Sequence, residues 1–168
     1  MTGQLWKDLM AAVKETIQFI LNTPILKDAI KITVICYGNA ARVVFKEETP
    51  SLDLLTKIIF HGGGTDFEIA LGKTYDIIIE SITRFDIFTV GFLTDGHATY
   101  PQMIIDKINA DAAKIKKRIN FNCILFGSAS SNLEKISKDL NARYSNAIGF
   151  EQLKRSFREI IKPRQDQI

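Results

Sequence analysis

The chain has little of what would set it apart from ordinary globular proteins, and each shortage excludes something. It has only 2 cysteines. Cys36 and Cys123 each sit inside a short apolar run, where a reduced thiol behaves as a small hydrophobe, so no disulfide is expected. No stretch approaches the about 18 uncharged apolar residues of a membrane span. The start, Met1 to Asp8, does not read as a signal peptide, and the expected address is cytoplasmic. Charge of one sign is also scarce. A net charge of +3 is too small to argue for a nucleic-acid partner. The single basic cluster, Lys114, Lys116, Lys117 and Arg118, falls late in a helical pattern, where cations favour the negative end of the helix dipole. It reads as a solvated helix end.

Several catalytic signatures are missing as well. Neither G-x-G-x-x-G nor G-x-x-x-x-G-K-[ST] occurs, which removes the common nucleotide-binding loops. His61-Gly62-Gly63-Gly64 matches the oxyanion-hole run of esterases, and Ser128, His97 and Asp95 could be imagined as a triad. The G-x-S-x-G elbow that such an enzyme requires is absent. A divalent-metal hydrolase using Asp95 would lack a positioned base, and the chain is read as noncatalytic. There is no internal repeat and no low-complexity segment.

What is present suits one compact domain over residues 1–168: 46% of residues are hydrophobic and 24% charged, enough for a sizeable core. Leu5, Leu9, Val13, Ile17 and Ile20 recur at helical spacing from Gln4 to Leu21, and Asn22-Thr23-Pro24 stops the pattern. The β-branched run Ile30–Tyr37, the turn Gly38-Asn39 and the run Arg42–Phe45 read as a hairpin. Ser51 to Ile59 can form a short helix. After the glycine loop, Phe67, Ala70, Leu71 and Ile78 carry helical periodicity to about Thr83, with Thr65 or Asp66 as N-cap.

Asp86–Leu93 is nearly continuous in apolar character, as in a strand covered on both faces, and stops at Thr94-Asp95-Gly96. A helix fits Tyr100–Arg118, then a buried strand Phe121–Phe126 closed by Gly127-Ser128. A helix from Leu133 to Leu140, a short strand around Arg143-Tyr144-Ser145 and a last helix ending at Pro163 complete the pattern. Strands alternating with helices predict an α/β fold: three layers, doubly wound, with a mostly parallel sheet and helices on both faces.

Ligands of such sheets bind beyond the carboxyl ends of the strands. Two polar segments fall there. In Gly62-Gly63-Gly64-Thr65-Asp66 the glycines permit a sharp turn and Thr65 offers a hydroxyl oxygen. In Thr94-Asp95-Gly96 one carboxylate stands at a strand end, the hard oxygen donor that Mg²⁺ prefers. Asp95 could instead simply cap an Asp-Gly turn. His97 could reach the same rim, although a loop histidine is more often merely solvent-exposed.

Gly63-Gly64-Thr65 followed by Ala70-Leu71, and Leu93-Thr94-Asp95-Gly96 at a strand end, resemble the second and third segments of the metal-ion-dependent adhesion site of von Willebrand factor A-type domains. Phe126-Gly127-Ser128, Ala142-Arg143-Tyr144 and the helix from Leu153 through Phe157 to Ile160 are similar to that family's closing elements. The resemblance implies a Rossmann-like, integrin I-like topology and a protein-binding domain. It makes Thr65 and Asp95 the metal positions, with Gly63, Gly64, Asp66, Gly96 and His97 on the ligand-binding rim. In the family, Mg²⁺ is completed by an acidic residue of a partner protein.

The resemblance also implies an absence. The family opens with a buried strand ending in Asp-x-Ser-x-Ser, and here Met1-Thr2-Gly3 already looks like the loop after it. That strand would lie between the ones corresponding to Ile30–Tyr37 and Asp86–Leu93, so two strand edges are expected to stand open, with self-association as a hazard. A longer parent protein, a partner-supplied strand or closure of the gap would each account for this. The remaining metal site is expected to bind Mg²⁺ weakly or not at all, and a metal-independent interaction scaffold is the alternative function.

Overall fold

A computed structural model describes residues 3–60, 63–112, 118–127 and 131–161. His61, Gly62, Ser128, Pro163 and the basic residues Lys114, Lys116 and Lys117 lie outside that set.

The chain opens with α1 (Gly3–Leu21) and a short α2 (Pro24–Ala29). The sequence pattern has Pro24 only as a stop, yet it begins a helix at a first-turn position, where its missing N–H costs nothing. Next come β1 (Ile32–Tyr37) and β2 (Ala41–Glu48), an antiparallel hairpin whose register slips twice between Ile32 and Ile35. A 3₁₀ turn, Leu52–Lys57, follows, its start capped by the Ser51 hydroxyl. Then α3 (Phe67–Ser81) is capped by Asp66, whose carboxylate accepts from the Ile69 amide at 3.0 Å.

The second half alternates regularly: β3 (Ile87–Thr94), α4 (Gln102–Ala112), β4 (Arg118–Phe126), α5 (Ser131–Asp139), β5 (Arg143–Ala147) and α6 (Phe150–Ile161). One expectation is corrected here. Helical spacing carries α4 to Arg118, but Arg118–Asn120 already belong to β4, paired with Ile87–Thr89. The edge-to-edge register with β3 overrides helical periodicity in a stretch that satisfies both patterns.

Strands β3, β4 and β5 form a parallel sheet in that order. Alternation along central β4 divides the core between its two faces. Phe121, Cys123 and Leu125 join Leu71, Ile105 and Leu133 from α3, α4 and α5. Ile124 and Phe126 join Ala12 of α1 and Leu153 of α6. Helices therefore cover both faces. No helix among the described residues is long and apolar enough to cross a membrane.

The sheet is split. β1 pairs only with β2, and β3 pairs only with β4 among the described residues. The two run in the same direction. At their C-terminal ends Tyr37 stacks on Phe92 with ring centroids 5.4 Å apart, and its hydroxyl donates to the Leu93 carbonyl at 2.8 Å. At the other end the Thr33 hydroxyl accepts from the Glu47 amide, and the Glu47 carboxylate accepts from Ser81 and Arg84, the residues that lead into β3. Between β1 and β3 lies a cavity of about 880 Å³. The two strand edges expected to stand open are its walls.

Candidate functional site

The candidate rim stands at the C-terminal ends of β1, β3 and β4, where three turns meet. After β3, the Thr94 hydroxyl accepts from the Gly96 amide at 3.2 Å, closing a tight turn that presents Asp95. Thr94 itself is buried. The glycine loop crosses this turn: a Cβ on Gly96 would stand 3.2 Å from the Thr65 hydroxyl oxygen. The two candidate metal positions are therefore brought together, and both line the mouth of the cavity between β1 and β3. Behind Asp95, the chain leaves β4 through Gly127 at φ +125°, close to the Asp95 Cβ.

The β1–β2 turn is the third member of the rim, and the sequence offered it only as a turn signal. A Cβ on Gly64 would fall 2.0 Å from the Asn39 side-chain oxygen, and one on Gly38 would fall 3.1 Å from the Gly64 carbonyl. At Gly38 the neighbour is backbone, so a side chain there would push the loops slightly apart, whereas at Gly64 the neighbour is the end of the Asn39 side chain, which can turn aside. The signal for Asn39 was its place beside Gly38 at a strand end, but its contact with residues 25 positions away could not be read from spacing.

The remaining rim residues separate. Gly63, Gly64 and His97 are exposed, and the Asp66 carboxylate caps α3. Burial pushes the Tyr37 hydroxyl well above its ordinary pKa; its hydrogen bond with Thr94 opposes this, and the nearby Asp95 charge adds to the rise. That effect places Asp95 within electrostatic reach of Tyr37 and keeps the Tyr37 phenol neutral.

Comparison with solved structures decides the fold type. A von Willebrand factor type A structure from Catenulispora acidiphila superposes with a TM-score of 0.67 at 20% identity over 90% of this chain. The fold is of the von Willebrand factor A type. Structures of proximal thread matrix protein 1 from the mussel byssus also superpose, with TM-scores of 0.66 and 0.63 at 15% and 14% identity over 94% and 95% of the chain. One of them has a zinc-occupied adhesion-site motif. The chain spans well under half of those structures, 37% of the first and 42% and 43% of the others. No protein-family model matches the chain, and no curated protein matches it in sequence.

The von Willebrand A fold directs attention to a divalent cation, towards which the described residues offer Thr65 and Asp95. Thr65 supplies one neutral oxygen and Asp95 one carboxylate, whereas Mg²⁺ demands six oxygens in near-octahedral order and gives up its waters reluctantly. Among the described residues there is no group of three or more His, Cys, Asp or Glu side chains that could hold a metal ion. The residues described here do not by themselves make a metal site.

Proposed function

We infer that this chain is a noncatalytic protein-binding domain that meets its partner at the rim around Thr65 and Asp95. The observation that supports this most directly is the convergence of three turns, carrying Asn39, Thr65 and Asp95, on one edge of a von Willebrand A-type sheet. The Asp95 turn leaves the parallel sheet, the Asn39 turn closes the β1–β2 hairpin and Thr65 leads into α3, so loops on fixed elements carry the rim, as they usually do the binding residues of α/β folds. A photo-crosslinking side chain at His97, on the rim, is compared with one at Met103, which is 76% exposed on α4. A partner adduct from position 97 alone, lost in Asp95→Ala and unchanged by a chelator, is the expected outcome. Equal adducts from both positions would refute the rim.

The closeness of Thr65 to the Asp95–Gly96 turn favours a second reading. In it these two residues are part of a Mg²⁺ site whose other oxygens come from outside the described residues, and an acidic partner residue binds there. Calorimetric titration of Mg²⁺ into the protein and into Asp95→Ala separates the two readings. Equal heats from both would eliminate the metal.

A further inference from the structure

We propose that α5 is the positioning element of the rim: through Asn132, Lys135 and Asp139 it fixes the loop of residues 95–101, and with it the separation of two rim segments and the affinity for a partner. The affinity part rests on the protein-binding reading of the rim.

The loop has two firm ends and a span between them that needs holding. It leaves buried Thr94 and finishes at Pro101, which is fully buried. Between them His97 and Thr99 are exposed, while Ala98 and Tyr100 pack, partly buried, against the core that α3, α4 and α5 share. Burial of one alanine and one ring is non-directional, so it limits where the loop lies without fixing it. Hydrogen bonds are directional, and α5 supplies them. Asn132 donates from Nδ2 to the Ala98 carbonyl at 2.7 Å. Asp139 accepts from the Tyr100 hydroxyl, and the Lys135 ammonium stands 3.7 Å from the centroid of the same ring. Burial, and then the Asp139 contact, raise the Tyr100 hydroxyl above its ordinary pKa, so it remains a donor at neutral pH. Spaced at i, i+3 and i+7, the three α5 residues form one stripe of the helix, and that stripe runs along the loop. Asn109 of α4 donates to the Asp139 carbonyl at 3.0 Å, which ties the end of the stripe to the helix that the loop enters.

Space for the loop to move lies on its other side. The two rim segments are close where a Cβ on Gly96 would stand 3.2 Å from the Thr65 hydroxyl. Beyond that point they part, leaving a cavity of about 200 Å³ between residues 65–68 and residues 99–101. One wall is set by the start of α3, which the Asp66 carboxylate caps. The other is the loop that the α5 stripe holds. Releasing the stripe would let Thr99 and Tyr100 move into the cavity, and Asp95 and His97, on the same loop, would shift relative to Thr65. Asn132, Lys135 and Asp139 therefore act on the rim without having to touch the partner; they are positioning residues.

The test is ¹⁵N relaxation of the whole 168-residue chain, compared among Asn132→Ala, Tyr100→Phe, their double variant, Lys135→Met and Lys135→Arg. In the wild type the amides of His97 and Thr99 should have order parameters of about 0.85, as in rigid backbone. In the double variant they should fall below about 0.6, with β4 and α3 unchanged. Lys135→Met should act in the same direction, and Lys135→Arg, which keeps a cation over the ring, should restore the wild-type value. Lys135 is exposed, so this pair keeps the test valid if the double variant fails to fold. A photo-crosslinking side chain at position 97 should give about fivefold less partner adduct in Lys135→Met, because a loosened loop has to be ordered again on binding. Order parameters already below about 0.6 in the wild type, or unchanged in the variants, overturn the proposal. Loosening spread evenly through α4, α5 and β4 overturns it too, since the contacts are then general packing. An adduct undiminished while the loop is loose overturns the link to affinity. The relaxation readout needs no partner, so failure here and failure of the rim reading are separately visible.

Discussion

Tyr37 offers the sharpest test of how the split sheet is held. Its ring stacks on Phe92 and its hydroxyl donates to the Leu93 carbonyl at 2.8 Å, so one side chain ties the hairpin to the parallel sheet. Tyr37→Phe keeps the stack and removes the bond. A neutral hydrogen bond contributes a net of about 0.5–1.5 kcal/mol, and for a domain of this size each kcal/mol moves the melting temperature by about 2–4 °C. Calorimetric melting should therefore fall by about 1–6 °C. Tyr37→Ala also loses the stack and leaves a void, at a cost of about 3–5 kcal/mol, the range for removing a large aromatic. A Tyr37→Phe protein as stable as the wild type would refute this account.

Other substitutions probe the core, the turn behind Asp95 and the buried thiol. Leu125, fully buried near the end of β4, should cost about 2–5 kcal/mol when changed to Ala, whereas Met103→Ala at an exposed position of α4 should stay within about 0.5 kcal/mol; urea denaturation compares them. Gly127→Ala places a side chain at φ +125° and should destabilise by about 1–3 kcal/mol, read as a lower melting temperature. Burial raises the Cys123 thiol from 9.0 to about 12. The folded protein thus keeps a proton that the unfolded chain loses, so stability is fully present below about pH 9 and falls as pH rises towards 12, by up to about 1.4 kcal/mol per unit. In Cys123→Val the alkaline decline of the melting temperature should be shallower; an identical slope would contradict the assignment.

The order of elements was legible because apolar periodicity is a local property. Alternation, 3.6-residue repeats and the turn residues place α3, β3, β4 and the hairpin within a few positions of their observed limits. Legibility failed where one stretch satisfied two patterns, as at Arg118–Asn120, and where a proline marked a beginning as well as an end, as at Pro24. Thr65 and the Asp95–Gly96 turn, singled out because each ends a recognisable segment, stand close together. Asn39 was missed because its place on the rim comes from its closeness to Gly64, whereas the N-cap offered for Thr65 or Asp66 is taken by Asp66, whose carboxylate accepts from the Ile69 amide.

By itself, then, the sequence determined an α/β chain with helices on both faces of parallel strands, and the two residues that meet at the rim. Whether β1 and β3 would close on one another was a tertiary matter. The space between them is set by α1 and α6 packing on one face and α3 on the other. Tyr37 bridges the hairpin and β3 at one end. Local patterning fixes which side of a strand is apolar; only the packing of the whole chain decides whether a strand has a neighbour.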